Sequence, residues 1–263
     1  KIYPTSVIEY SQLAEWYKSG KYMPYAEQDD GKFIVDVITY FLVKVPYYMR
    51  VNRVIRDFYA DAIIGGTSNG GMRSSIESNV KDNNIKLKDI RVREVKNSDF
   101  DSNDCHLFVD KYDACDGVNY FISYENSDRT KLYGFIRLRF NGLITYTMPE
   151  LIGHALVREL HVYGSHTGVG KIDAGDTQHR GLGKKLLKQA EKIASDNRYK
   201  QLTVISGVGV KEYYRKLGYI DYHTYVTKEL ELPANYNLLS VSIAIAAVVG
   251  IVGTYWFTSN YFI

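Results

Sequence analysis

One stretch constrains the fold more than any other. At residues 155–198 an apolar run is followed by a polar loop, a glycine-containing turn and a long amphipathic segment. The turn reads Gln178-His179-Arg180-Gly181-Leu182-Gly183. After it, Leu182, Leu186, Leu187, Ala190, Ile193 and Ala194 recur at helical spacing, with Lys184, Lys185, Lys188 and Lys192 on the other face. The pattern predicts a strand at 155–163, a loop, and a helix. Glycines at a helix start let a ligand approach the backbone closely, and first-turn N–H groups have no acceptor within the helix. With the positive end of the helix dipole, they make an anion site suited to a diphosphate. A Rossmann fingerprint is excluded, because the third glycine and the later acidic residue are missing. A P-loop is excluded because no Gly-Lys-Ser/Thr follows.

Strands are also predicted at 89–95, with Arg91 and Arg93 on one face, at 120–125, at 132–140 and at 202–205, with a turn at 126–130. A short helix is predicted near 210–217. Strands followed by a strand–helix–strand–helix ending give an α/β sandwich over 86–230. Ahead of it the pattern predicts a strand at 1–8, helices at 11–19 and 32–43 (the latter stopped before Pro46) and a strand at 51–58. Residues 61–85, rich in Gly, Ser and Asn, read as a linker.

The apolar fraction of 45% and charged fraction of 24% exclude a disordered chain, and a net charge of +3 is too slight to imply a nucleic-acid partner by itself. Basic residues do cluster locally: Lys86, Lys88, Arg91, Arg93 and Lys96 in one stretch, Arg50, Arg53 and Arg56 in another. Such clusters either contact RNA phosphates or form a solvated face. The two cysteines, Cys105 and Cys115, exclude a disulfide scaffold and any four-thiolate metal site within these residues. Neither has ligand spacing, so no metal is expected. His154, His161, His166 and His179 read as hydrogen-bonding surface or loop residues. Residues 232–263 carry no Lys, Arg, Asp or Glu, and 238–257 are about 20 mostly apolar residues with aromatic flanks. They predict a transmembrane tail anchor; a buried core helix of that length would be unusual.

Gln178-x-x-Gly181-x-Gly183 resembles the pyrophosphate signature of GCN5-related N-acetyltransferases. Three further segments resemble the acetyltransferase domain of Elongator catalytic subunits: Val157-Arg158-Glu159-Leu160-His161-Val162-Tyr163-Gly164, Val204-Ile205-Ser206-Gly207-Val208-Gly209 and Tyr213-Tyr214-Arg215-Lys216-Leu217-Gly218-Tyr219. Residues 1–5, 51–57 and 89–95 resemble the middle of that family, where a radical-SAM barrel ends. The resemblance implies a GCN5-related fold, mostly antiparallel and flanked by helices, over 86–230. Residues 1–60 would be the end of a radical-SAM region.

It also implies roles. Glu159, Leu160, His161 and Val162 would line the thioester and pantetheine arm of acetyl-CoA. Gln178, Gly181, Leu182, Gly183 and Lys184 would hold its diphosphate. Tyr214 would sit by the thioester sulfur and protonate the leaving thiolate, while Tyr213 reads as core and Glu159 as a candidate base. Arg53, Arg56, Arg91 and Arg93 would contact transfer RNA. The implied activity opens acetyl-CoA to modify the wobble uridine of tRNA. A protein lysine acetyltransferase and an inactive CoA- or tRNA-binding module are the alternatives. The family's iron–sulfur cluster and S-adenosylmethionine would belong only to a radical-SAM half preceding residue 1. Other Elongator subunits are implied partners. The anchor, with the domain facing the cytosol, would sit in the mitochondrial outer membrane or endoplasmic reticulum.

Overall fold

The computed structural model describes residues 1–54, 58–66, 72–95, 100–142, 148–164 and 181–233. Its centre is a seven-stranded sheet of β3 (His106–Asp113), β4 (Gly117–Glu125), β5 (Leu132–Asn141), β6 (His154–Val162), β7 (Gln201–Val204), β9 (Tyr225–Glu229) and β8 (Ile220–Tyr222), in that spatial order. Two strands precede it, β1 (Val7–Ile8) and β2 (Ile63–Gly65), paired with each other. All neighbours in the large sheet are antiparallel except β6 and β7. The parallel pair is bridged by the crossover that carries the helix α5 (Leu182–Asp196). The remaining helices are α1 (Gln12–Lys18), α2 (Lys32–Lys44), α3 (Met72–Asp82), α4 (Ile90–Arg93) and α6 (Lys211–Arg215).

The two faces of the large sheet have different covers. Alternation along each strand sends Ile122, Ile136, Leu138, Val157, Leu202, Val204 and Val226 to one face. There they pack on Leu186, Leu187, Ala190 and Ala194 of α5, the stripe that the helical spacing predicts. The opposite face carries Phe121 and Phe135, covered in part by Ile90 and Tyr48. A separate core joins α2 and α3 through Ile34, Ile38, Leu42, Met72, Ile76 and Val80.

Several expectations are corrected. Of residues 1–8 only Val7 and Ile8 pair as strand. Residues 51–54 are irregular, with Val51 and Val54 turned into the α2–α3 core. The span read as a linker contains β2 and the packed helix α3. Residues 89–95 form no ladder strand. The carboxylate of Asp89 accepts the N–H groups of Arg91 at 3.3 Å and Val51 at 2.7 Å, and that cap starts the one-turn helix α4. His154 is buried, not at the surface. Among the described residues no helix is long and apolar enough to cross a membrane. Residues 238–257, where the sequence predicts the anchor, lie outside those described.

Candidate functional site

The site forms where β6 and β7 part. Their parallel pairing runs from His154–Gln201 to Val157–Val204 and ends as the N–H of Ile205 donates to the carbonyl of Val157 at 3.0 Å. On its other edge β6 stays paired with β5 as far as Val162. The β5–β6 register places Arg137 opposite Glu159 and Leu138 opposite Val157, so Arg158 is a surplus residue in β6. Such a bulge bends and twists its strand. Among the described residues, 158–162 have no strand partner on their second edge, which leaves a wedge-shaped opening beside them.

The start of α5 lies on one side of this opening. Gly181 takes a left-handed conformation (φ 72°, ψ 16°) that suits glycine, and no side chain caps the helix. The helical ladder begins with the N–H of Lys185 donating to Gly181 at 3.0 Å. The N–H groups of Leu182, Gly183 and Lys184 precede that bond and have no acceptor within the helix. The Leu182 side chain is buried against Val162, Tyr163 and Tyr133, which pins the helix start to the end of β6. Lys184 is exposed at the first turn. A Cβ on Gly183 would come within 2.9 Å of the Tyr213 hydroxyl, the far end of a partly exposed side chain, which would have to shift to admit it.

Tyr213 and Tyr214 are neighbours on α6, about 100° apart around it, and their rings meet edge-on at 5.2 Å. Tyr214 points into the main core beside Tyr219 and is 6% exposed. Burial, helped by Tyr213, pushes its phenol up to about 12. It is therefore a neutral proton donor at pH 7. Tyr213 does not match the expectation of a core residue: it is 37% exposed, with its hydroxyl over Gly183. The alternating angles of a helix are the signal that separates the two tyrosines.

The other expected residues scatter. Leu160 and Val162 turn toward the α5 side. Glu159 turns the other way, and its carboxylate accepts from Arg137 Nε at 2.9 Å. The His161 ring lies 4.4 Å from that of Tyr163. Arg91 is exposed, donating to the carbonyl of Asn52 at 2.6 Å, and Arg53 is exposed. Arg93 is corrected. It is 2% exposed and donates to Glu125 at 2.7 Å and to the carbonyls of Lys88 and Tyr47, which leaves nothing for RNA. Gln178 and Arg56 lie outside the described residues, as do His166 and His179.

The Radical_SAM C-terminal domain matches residues 1–82 and the Acetyltransferase (GNAT) domain matches residues 114–229. Elongator complex protein 3 of Bos taurus is 36% identical over 236 residues, covering 88% of this chain and 42% of that protein. The tRNA uridine(34) acetyltransferase of Dehalococcoides mccartyi is 36% identical over 237 residues, covering 88% and 50%. A solved structure of the archaeal Methanocaldococcus infernus Elp3 with an N-terminal deletion superposes with a TM-score of 0.72 at 32% identity, over 87% of this chain and 55% of that one. The chain thus spans about half the length of the relatives it matches. These relatives are named for the Elongator complex and for tRNA modification. With no membrane-crossing helix among the described residues, the expected membrane localisation is withdrawn.

Proposed function

This chain is a homologue of Elongator complex protein 3 and the tRNA uridine(34) acetyltransferases, and from that premise we propose that it binds acetyl-CoA and opens its thioester for modification of tRNA wobble uridine. The acyltransferase unit is taken as residues 86–230. One observation carries the reading: a glycine-started helix faces the opening between β6 and β7, with the Tyr214 ring in the core beneath that helix.

The residues fit the coenzyme. The first-turn amides of Leu182, Gly183 and Lys184, with Gly181 and Gln178, hold the diphosphate. The strand edge of Glu159, Leu160, His161 and Val162 offers N–H and C=O groups to the amides of an extended pantetheine arm. Acetyl-CoA, when bound, supplies an activated acyl group. The Tyr214 hydroxyl donates a proton to the departing sulfur, a role that needs a phenol neutral at working pH. Glu159 is less suited to act as a base, because Arg137 holds its carboxylate as an acceptor. The two cysteines of these 263 residues do not make the three-thiolate set of a radical-SAM cluster, so no step is assigned to a cluster or to S-adenosylmethionine here. Arg53, Arg56 and Arg91 are the tRNA contacts of this reading, and other Elongator subunits are its partners.

Calorimetry with acetyl-CoA, and thioester cleavage with and without tRNA, test it. The chain is expected to bind the coenzyme, and Gly183→Val to weaken binding at least about tenfold, the equivalent of about 1.4 kcal/mol. Unchanged affinity in Gly183→Val would remove the basis of the assignment.

A further inference from the structure

The sheet face opposite α5 is covered by Tyr48 and Ile90 only around Phe121 and Phe135. Beside β6, β7 and β9 the face is covered by another segment: Leu156, Thr203 and Thr227 are buried, and the Tyr222 hydroxyl donates to the carbonyl of Glu150 at 3.0 Å, which sets residues 148–152 at that end of the sheet. There a groove of about 430 Å³ is lined by Arg139, Met148, Leu156, Arg158, Ile205 and Tyr225 among others. It meets the wedge at its apex, because Arg158 is the surplus residue of β6 and Ile205 is the residue at which β7 departs. A coenzyme seated at Gly181–Lys184 approaches from the α5 side. Among the described residues, the groove is an approach open to the acceptor.

Three arginines stand on this face, and their states differ. Arg137 is held by Glu159 and lies over the rings of Phe121 and Phe135. Arg139 spends its donors on Asn141, Ala114, Cys115 and Asn119, fixing the β3–β4 turn. Arg158 is exposed and makes no hydrogen bond or ion pair with any described residue. No acidic residue is among the described residues lining the groove. A lysine ammonium entering there would meet two guanidinium groups and no carboxylate, which is repulsive. An anionic acceptor with a flat apolar part meets the reverse. The guanidinium fork suits phosphate oxygens. Met148 at 48% exposure, Ile205 at 49% and the Tyr225 ring offer surface to a base.

We propose that this groove receives a nucleotide of the RNA acceptor, with Arg158 on its phosphate and Met148, Ile205 and Tyr225 against its base. The proposal rests on the acyltransferase reading above and names the acceptor class at that site.

The test uses the full chain, a fluorescein-labelled anticodon stem–loop RNA read by anisotropy across a salt series, and acetyl-CoA calorimetry on the same samples. Arg158→Ala is expected to weaken RNA binding several-fold and to lower the log–log salt slope by about 0.7 to 0.9, the share of one phosphate contact. Arg158→Lys should restore the slope while recovering only part of the affinity, since it loses the fork. Acetyl-CoA affinity should stay within about twofold in both variants, which a folding defect would not allow. If Arg158→Ala binds RNA with wild-type affinity and slope while acetyl-CoA still binds, the groove assignment is wrong and the coenzyme reading stands. If the unaltered chain fails to bind acetyl-CoA, the coenzyme reading fails and takes this one with it. An oligolysine peptide that competes with the RNA, and whose binding Arg158→Ala strengthens, would also overturn the RNA assignment.

Discussion

A phenol donates a proton to a thiolate only while it keeps that proton, as an ordinary tyrosine does at pH 7, and burial moves Tyr214 further in the same direction. Tyr214→Phe is expected to leave acetyl-CoA affinity nearly unchanged and to slow thioester cleavage by about 100-fold or more, read in single-turnover assays. An equal loss in binding would show that the ring's packing, not its hydroxyl, is what matters. Gly183 supports a sharper experiment. Gly183→Ala puts a methyl against the Tyr213 hydroxyl, and Tyr213→Phe removes that obstacle. Coenzyme affinity should drop in the alanine variant and recover in the double variant, and purely additive losses would contradict the geometry. At this scale the sequence was partly readable. The glycines and Tyr214 stand in a recognisable motif. Arg93 does not: its fate depends on Glu125, 32 positions away across a tertiary contact that no local pattern encodes.

Among the elements, those that feed the main core were legible. α5 carries clear periodicity because one side of it meets the main core, whereas β4 and β5 are buried on both faces and read as apolar runs. β3 was missed because it is an edge strand paired only with β4, its Leu107 and Val109 exposed and its charges intermixed. α4 was misread because Ile90 and Val92 alternating with Arg91 and Arg93 resemble a strand until the Asp89 cap is seen. The junction of α4 with the sheet is held by a buried network. Glu125, fully buried, accepts from Arg93 and from Arg129 Nε at 2.9 Å, and from the Ser123 hydroxyl at 2.6 Å. Arg129 in turn bridges to Asp110 at 2.6 Å. Glu125→Ala would strand the Arg93 guanidinium away from water, and we expect it to cost about 3 to 5 kcal/mol in urea unfolding. A loss below about 1 kcal/mol would mean that water reaches the network.

At the level of the molecule, the N-terminal segment and the sheet are stitched together. The Tyr48 and Tyr112 rings stack at 3.6 Å, the Ile90 N–H donates to Met49 at 3.0 Å, and Arg50 Nη1 lies 3.0 Å from the Tyr163 hydroxyl. One unfolding transition seen by both near-UV and far-UV signals is expected, and two separated transitions would disprove this coupling. Acid should weaken the whole. Burial lowers the pKa of His154, whose Nδ1 lies 2.6 Å from the Thr203 hydroxyl. The unfolded chain then takes up a proton more readily than the folded one. Stability is complete above about pH 6.5 and falls as pH drops through the folded value. Thermal melts from pH 7.5 to 5 should show a falling midpoint, flattened in His154→Gln; an identical slope in that variant would place the acid sensitivity elsewhere.

The extra residue in β6 has a further consequence. Substitution at position 158 alters charge but not chain length, so the gap beside β7 survives every such change. Excision of that residue would bring β6 back into step with β5 and remove the bend, so the strand edge beyond Val157 would run on beside the end of β7 instead of turning from it. The room beside β7 is thus tied to a count made on the far edge of β6, where that strand holds one amino acid more than β5.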